Sequence, residues 1–179
     1  MQRMELYRTK IQELLDKGVA YRCRCSKEEV DARRSAVEAV GKVYQYNRGL
    51  DAGKGCRDKN HDASQPAAIR FKMPTEGDIV VADVIKGETR FPSESLDDWI
   101  IARSSELPGE IGVPTYNFCV VVDDTHMEVT HVLRGDDHLN NTPKQIPLFE
   151  AFGYELPVFG HVPMILGKDG AKLSKRHGA

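Results

Sequence analysis

Glu128-Val129-Thr130-His131-Val132-Leu133, then Arg134-Gly135-Asp136-Asp137-His138, then Asn141-Thr142-Pro143 running on to Phe152-Gly153, is the stretch whose reading decides the fold. The first six residues read as a strand, which ends at Arg134–His138. A helix is expected next, with Thr142 as cap, Pro143 at the first position and Gly153 as stop. Pro147 falls inside it and is expected to loosen the first turns. Val158-Phe159 and Met164-Ile165-Leu166 follow as short buried strands. Strand, helix, strand with short links is half of a doubly wound α/β unit, in which functional groups gather at the carboxyl ends of strands.

Two candidates sit at such ends. Arg134 follows an apolar strand, and its planar fork suits bidentate capture of a carboxylate. The competing reading is a structural ion pair with Asp136 or Asp137. The second candidate is the closing run Gly167-Lys168-Asp169-Gly170-Ala171-Lys172-Leu173-Ser174-Lys175-Arg176-His177-Gly178. Its glycines permit a close backbone approach, and its clustered cations with the Ser174 hydroxyl suit a polyphosphate. A solvated tail is the plainer alternative. Asp136, Asp137 and His138 resemble a metal site, but adjacent carboxylates point in different directions. Tyr116 is a candidate substrate hydrogen-bond partner. No Ser-His-Asp or Cys-His arrangement, Walker loop or dinucleotide-type glycine fingerprint stands out.

Upstream, Phe118-Cys119-Val120-Val121-Val122 is a continuous apolar run that periodicity cannot assign to strand or helix. Met4, Tyr7, Ile11, Leu14 and Leu15 follow helical spacing, with Gly18 as stop. Val19 to Arg24 reads as a short strand. Ser26 with Glu29 forms a capping box, and a helix is expected from Lys27 to about Val40. Ala68–Met73, Asp78–Ile85 and Trp99–Ala102 read as strands. Lys86-Gly87-Glu88 reads as a turn into Thr89–Phe91, making a hairpin. Residues 19–112 are therefore expected to form a small α+β module.

The polar stretch from Lys42 to Pro66 is too long to stay structureless without a staple. Cys56 lies within it, and Cys23 and Cys25 precede it. Cys-x-Cys is too tight for an easy disulfide and reads as a pair of metal ligands. A zinc ion on Cys23, Cys25 and Cys56 needs a fourth donor. Asp58 and His61 are in reach along the chain; Tyr44 and Tyr46 are poorer candidates. Three unrelated reduced thiols are the alternative.

The chain has 179 residues, 40% hydrophobic and 29% charged, with formal net charge −2. That composition describes an ordinary soluble globular protein, and no apolar run approaches the length of a membrane-spanning helix. With a polar helix at the start instead of a signal peptide, a cytoplasmic setting is expected. Between Arg22 and His61 there are ten Lys/Arg against six Asp/Glu, a local excess compatible with a nucleic-acid surface or with a solvated face.

Three motifs carry a resemblance. They are Pro114-Thr115-Tyr116-Asn117-Phe118 with Val121-Val122-Asp123-Asp124, then Thr130–His138, then Lys172-Leu173-Ser174-Lys175-Arg176-His177-Gly178. Together they closely resemble glutamyl-tRNA synthetases of the bacterial and organellar type. The first helix, Tyr21–Cys25 and Cys56-Arg57-Asp58 match as well, so the likeness covers essentially the whole chain. It implies a class I synthetase with a Rossmann-like catalytic domain split by an inserted acceptor-stem-binding module. Residues 1–18 would be a helix from the end of the first catalytic half. Residues 19–112 would be the insert with its candidate zinc knuckle. Residues 113–179 would be the second half, with the signature loop at 167–179. Such enzymes activate glutamate with ATP and Mg²⁺ and pass it to the 3′ end of tRNA(Glu).

The resemblance also implies roles. Lys172 and Lys175 would be catalytic. Lys175, Ser174, His138 and Met164 would bind ATP. Tyr116 and Arg134 would bind glutamate. Cys23, Cys25 and Cys56 match zinc ligands of some members, with Asp58 standing where those members have histidine. The family also makes Tyr116 to Val122 helical. Its His-Ile-Gly-His-type signature and its anticodon-binding domains have no counterpart here. The expectation is thus an internal fragment, monomeric and inactive in aminoacylation by itself. Two alternatives remain: a glutamyl-queuosine tRNA(Asp) synthetase-like paralogue, and a zinc-stapled RNA-binding module.

Overall fold

The computed structural model describes residues 3–164. The chain opens with helix α1 (Met4–Asp16), which buries Ile11 and Leu14 and stops at Gly18 in the left-handed region. Strand β1 (Ala20–Cys23) leads to α2 (Lys27–Glu38). There Ser26 and Glu29 form the expected reciprocal capping box, satisfying two orphan donors of the first turn. After the polar stretch come β2 (Ala68–Phe71), the hairpin of β3 (Asp78–Asp83) and β4 (Gly87–Pro92), and β5 (Ile100–Ser104). Then follow β6 (Ile111–Pro114), helix α3 (Tyr116–His126), β7 (His131–Gly135), α4 (Thr142–Phe152) and β8 (Val158–Val162).

Two four-stranded sheets result. One has the order β1-β2-β5-β6 and is antiparallel throughout. The other has the order β4-β3-β8-β7 and is mixed. In it β7 and β8 run parallel with α4 as their crossover, the expected strand–helix–strand unit. The hairpin joins this same sheet, with β3 parallel to β8. The segment 19–112 therefore does not close on itself. Its β3–β4 hairpin extends the sheet formed by residues 131–162: β3 pairs with β4 on one edge and β8 on the other, and its alternating Ile79, Val81 and Asp83 turn one face into the core. One core cluster spans both sheets and includes Ile11, Leu14, Ile69, Phe71, Val81, Phe118, Phe149 and Phe159.

The run Phe118–Val122 is helical. Phe118, Val121 and Val122 recur at i, i+3 and i+4 and are buried, so packing of that stripe outweighs the weak helix propensity of valine. Strand β7 begins at His131, three residues later than expected. Glu128 has φ +56, and the Val129 amide donates back to Asp124, so the chain is still turning out of α3 there. Thr142 is not a cap. A 3₁₀ turn over Asp136–Asn141 runs straight into α4, and the Thr142 hydroxyl points to Arg134 and His161 instead. Gly153 ends α4 with φ +70, as expected. The two short strands expected near the end reduce to β8. Met164 is not in a strand, and Ile165 and Leu166 lie outside the described residues.

Candidate functional site

Arg134 sits near the carboxyl end of β7, opposite His161 of β8. Its Nε–H donates to His161 Nε2 at 3.0 Å. Its Nη2 donates to Thr142 Oγ1 at 2.8 Å and to Gln145 Oε1 at 3.0 Å. Gln145 in turn donates through Nε2 to Asn117 Oδ1 at 2.9 Å, tying α4 to the first turn of α3 beside Tyr116. All three groups that meet Arg134 are uncharged in the arrangement their hydrogen bonds require. Among the described residues no carboxylate lies within ion-pair distance of this guanidinium. The expected alternative, a structural ion pair with Asp136 or Asp137, is not seen among the described residues; Asp136 meets Lys86 Nζ at 2.7 Å instead. Burial lowers the Arg134 pKa from the usual guanidinium value, with Tyr116 and Asp124 opposing. Burial likewise pushes Asp124 up, against the pull of Arg134. A half-buried cation held by neutral partners has the charge and the donors to take up an anion.

Tyr116 is 58% exposed at the start of α3, and its ring lies 6.2 Å, centroid to centroid, from that of His138. His138 Nδ1 is 3.2 Å from Asn141 Nδ2. The Met164 amide donates to Asp136 Oδ1 at 3.2 Å, which brings the end of the described chain beside the Asp136–His138 turn. Arg134 lies in β7, and His138 and Met164 follow β7 and β8 of the second sheet, whereas Tyr116 follows β6 of the first and comes next to them through its ring contact with His138. Lys172, Ser174 and Lys175 lie outside the described residues. Asp136, Asp137 and His138 do not bring three donor atoms together as a metal cluster; among the described residues that is done by the cysteines alone.

Sequence reading misses the support behind Arg134. His161 is fully buried, and its Nδ1 lies 2.5 Å from Asp83 Oδ2. Asp83 also accepts from the backbone amides of Ile85 at 2.9 Å, Lys86 at 2.8 Å and His161 at 3.0 Å. The missed signal is Asp83 in register with Ile79 and Val81 on the buried face of a strand, where a charge must be paired. Burial raises the Asp83 pKa, but the amide and imidazole donors outweigh it and hold the carboxyl well below its ordinary value. A depressed carboxylate contributes stability above its unfolded pKa and loses it as pH falls through the folded value. Unfolding free energy should accordingly fall as pH drops below about 4. The acid branch should flatten in Asp83→Asn, as checked by denaturant titrations across that range. Equal acid slopes in the two proteins count against this.

The second cluster lies at the other sheet. Cys23, Cys25 and Cys56 place their sulfurs within 4.8 Å of one another, with Cys25 Sγ 3.5 Å from Cys56 Sγ. Neither Asp58 nor His61 joins this cluster. His61 lines the mouth of a cavity of about 450 Å³ over Cys25 and Cys56, among Arg24, Arg33, Lys54 and Lys59. Burial and the nearby Arg24 and Lys59 cations lower its pKa. The oxygen that reaches the sulfurs belongs to Tyr46: its hydroxyl is 3.1 Å from Cys23 Sγ and 3.3 Å from Cys25 Sγ, and it accepts from the Cys56 amide at 3.0 Å. Burial pushes the Cys25 thiol up to about 11. Burial also raises Cys23, but the Arg70 cation and the Tyr46 hydroxyl outweigh it, holding that thiol below its usual value.

The long polar stretch has a staple made of charge. Asp98 has no exposed surface. It accepts from Arg48 at 3.0 Å, Arg57 at 2.6 Å, the Met73 amide at 3.0 Å and the Tyr21 hydroxyl at 3.0 Å. Asp51 makes a second hub, accepting from Tyr44, the Asn47 amide and Arg33. Arg57 adjoins Cys56, so the Asp98 hub fixes where the third sulfur stands.

A family model described as tRNA synthetases class I (E and Q), catalytic domain, matches residues 1–179. The chain is 52% identical over 175 residues to a glutamate–tRNA ligase of Trichlorobacter lovleyi, covering 97% of this chain and 35% of that protein. It is 50% identical over 177 residues to the ligase of Thermodesulfovibrio yellowstonii, covering 99% and 36%. A solved glutamate–tRNA ligase from Elizabethkingia meningosepticum, in complex with its amino acid, aligns with TM-score 0.75 and 32% identity over 99% of this chain and 36% of that one. The chain spans about a third of the length of these relatives.

Proposed function

The chain belongs to the class I tRNA synthetases of the glutamate and glutamine type, and from that premise we propose that it carries the carboxylate-selecting part of a glutamate-activating site. The observation that supports this most is Arg134: a half-buried cation held by Thr142, Gln145 and His161, with no carboxylate of its own among the described residues. Glutamate's side-chain carboxylate docks on Arg134 beside Tyr116. Its α-carboxylate then attacks the α-phosphorus of ATP, which enters as its magnesium complex, and pyrophosphate leaves. Lys172 and Lys175, with Ser174, offset the charge on the departing pyrophosphate, and His138 and Met164 border the nucleotide. A ribose hydroxyl at the 3′ end of tRNA(Glu) finally attacks the acyl carbon, releasing AMP.

In this reading residues 1–18 and 113–179 serve the catalytic domain, and 19–112 serve the acceptor stem. The β3–β4 hairpin is the strap joining the two, since it completes the sheet that carries Arg134. The test is pyrophosphate exchange by the full-length gene product with tRNA present. Exchange that requires glutamate and fails with glutamine supports the proposal; exchange driven equally by both counts against it.

A zinc ion belongs to the same reading as a structural staple at Cys23, Cys25 and Cys56. The sulfurs fit it: thiolate ligands of a tetrahedral zinc stand about 3.8 Å apart, given Zn–S near 2.3 Å. The buried Arg70 guanidinium, 3.5 Å above the Tyr46 ring and beside Cys23, supplies the positive charge that bound thiolates need. Tyr46 Oη lies 3.1 Å from Cys23 Sγ and 3.3 Å from Cys25 Sγ, within reach of the same ion. Metal analysis is expected to find about one zinc per chain in the parent and none in Cys23→Ser. Chelation should lower the thermal midpoint of the parent alone. A metal-free parent sinks the staple.

A further inference from the structure

Behind Arg134 a line of donors and acceptors crosses three neighbouring strands, from β7 through His161 on β8 to Asp83 at the end of β3. Its chemistry fixes the proton positions. A guanidinium donates and never accepts, so His161 Nε2, 3.0 Å from Arg134 Nε, must present its lone pair. The ring proton then sits on Nδ1, which faces Asp83 Oδ2. Thr142 stands beside both groups: its hydroxyl accepts from Arg134 Nη2 and lies 3.2 Å from His161 Nε2. Asp83 cannot swing away, because three backbone amides hold its two oxygens.

We propose that Asp83 and His161 are positioning residues for Arg134: they lock a neutral Nδ1–H imidazole whose lone pair holds the Nε edge of the guanidinium, leaving Nη1 to select a carboxylate. This rests on the reading of Arg134 as the glutamate clamp. Arg134 Nη1 has no hydrogen-bond partner among the described residues, whereas Nε and Nη2 are both engaged. A long flexible side chain anchored along one edge arrives at its ligand with its orientation already set. The imidazole is suited to the task because it is buried, donates on one side and accepts on the other, and adds no charge beside the cation.

Two substitutions separate positioning from mere packing. In Asp83→Asn the side-chain oxygen can still accept from backbone amides. The amide NH₂, however, turns a donor toward His161 Nδ1, and the ring proton must move to Nε2, where it opposes Arg134 Nε–H. In His161→Gln the carbonyl oxygen can reach the Nε2 position and accept from Arg134, while the contact to Asp83 is lost. His161→Leu removes the acceptor altogether.

The experiment uses the full-length gene product, with glutamate-dependent pyrophosphate exchange measured in the presence of tRNA. Asp83→Asn and His161→Leu should raise the KM for glutamate by about 10–100-fold, the scale typical of lost supporting contacts, with the KM for ATP unchanged. His161→Gln should recover most of that loss. In protein labelled with ¹⁵N-histidine, the resonance lost in His161→Gln should report Nδ1–H in the parent and Nε2–H in Asp83→Asn. If His161→Leu does not fold, the Asp83→Asn and His161→Gln pair with the ring spectra carries the same test. A parent ring protonated on Nε2 overturns the proposal. So does an unchanged glutamate KM in Asp83→Asn when Arg134→Ala raises it. An unchanged glutamate KM in Arg134→Ala overturns the clamp reading itself, and the selection argued from it falls with it.

Discussion

Asp98→Ala is expected to lower the unfolding free energy by about 3–5 kcal/mol, the cost of breaking a buried ion pair by removing one partner. The substitution strips Arg48, itself buried, and Arg57 of the carboxylate both share. It also leaves the Met73 amide and the Tyr21 hydroxyl without an acceptor. Each of those groups has been taken out of water, so none regains its lost bond at no cost. Denaturant titration measures the effect as a shift in midpoint at constant slope. Because Arg57 adjoins Cys56, the variant should also expose Cys56 to thiol reagents faster than the parent, both stripped of metal. Asp98→Asn should fall between the two, since an amide oxygen still accepts but carries no charge. A loss below about 1 kcal/mol in Asp98→Ala would show the arginines finding water or each other's neighbours, and the hub would not be what holds the polar stretch.

That hub also shows where the sequence stops speaking. The stretch from Lys42 to Pro66 announces that it needs a staple, and its cysteines suggest one. Nothing local marks Asp98, Arg48 and Arg57 as partners, because they come from positions 50 and 41 residues apart. Helices α1, α2 and α4 are legible because their stop glycines, capping box and N-terminal proline act within one turn. The run Phe118–Val122 is not legible, because a buried stripe of valines serves strand and helix alike. The same limit governs the site. Arg134 is readable from its place after an apolar strand. His161 and Asp83 are not, since what gives them meaning is the parallel pairing of β3, β8 and β7. By spacing, Asp58 and His61 are both within reach of the three sulfurs. The folded loop instead turns the Tyr46 hydroxyl to the sulfurs, a contact that no count of intervening residues reveals.

Arg134→Ala is expected to lower kcat/KM for glutamate by roughly a hundredfold or more. Truncating one partner of a hydrogen-bonded charge pair costs about 2–5 kcal/mol, and on the proposed reading the substrate's carboxylate would then lose the cation that Arg134 offers. Measured in the full-length gene product, the loss should appear mainly in the KM for glutamate, with the KM for ATP little changed, because on the proposed reading the guanidinium binds the same carboxylate before and during the reaction. Discrimination between glutamate and glutamine should fall with it, since the charge that separates the two ligands would have nothing to meet. Arg134→Lys is the sharper comparison. It keeps the charge, yet an ammonium cannot donate at once to His161, Thr142 and Gln145 in the geometry the planar fork allows. Its efficiency should sit close to that of alanine. If lysine restores activity to within about threefold of the parent, charge alone suffices and the directional clamp is wrong. If alanine itself is that active, glutamate is held elsewhere and the half-buried cation at the end of β7 has another ligand.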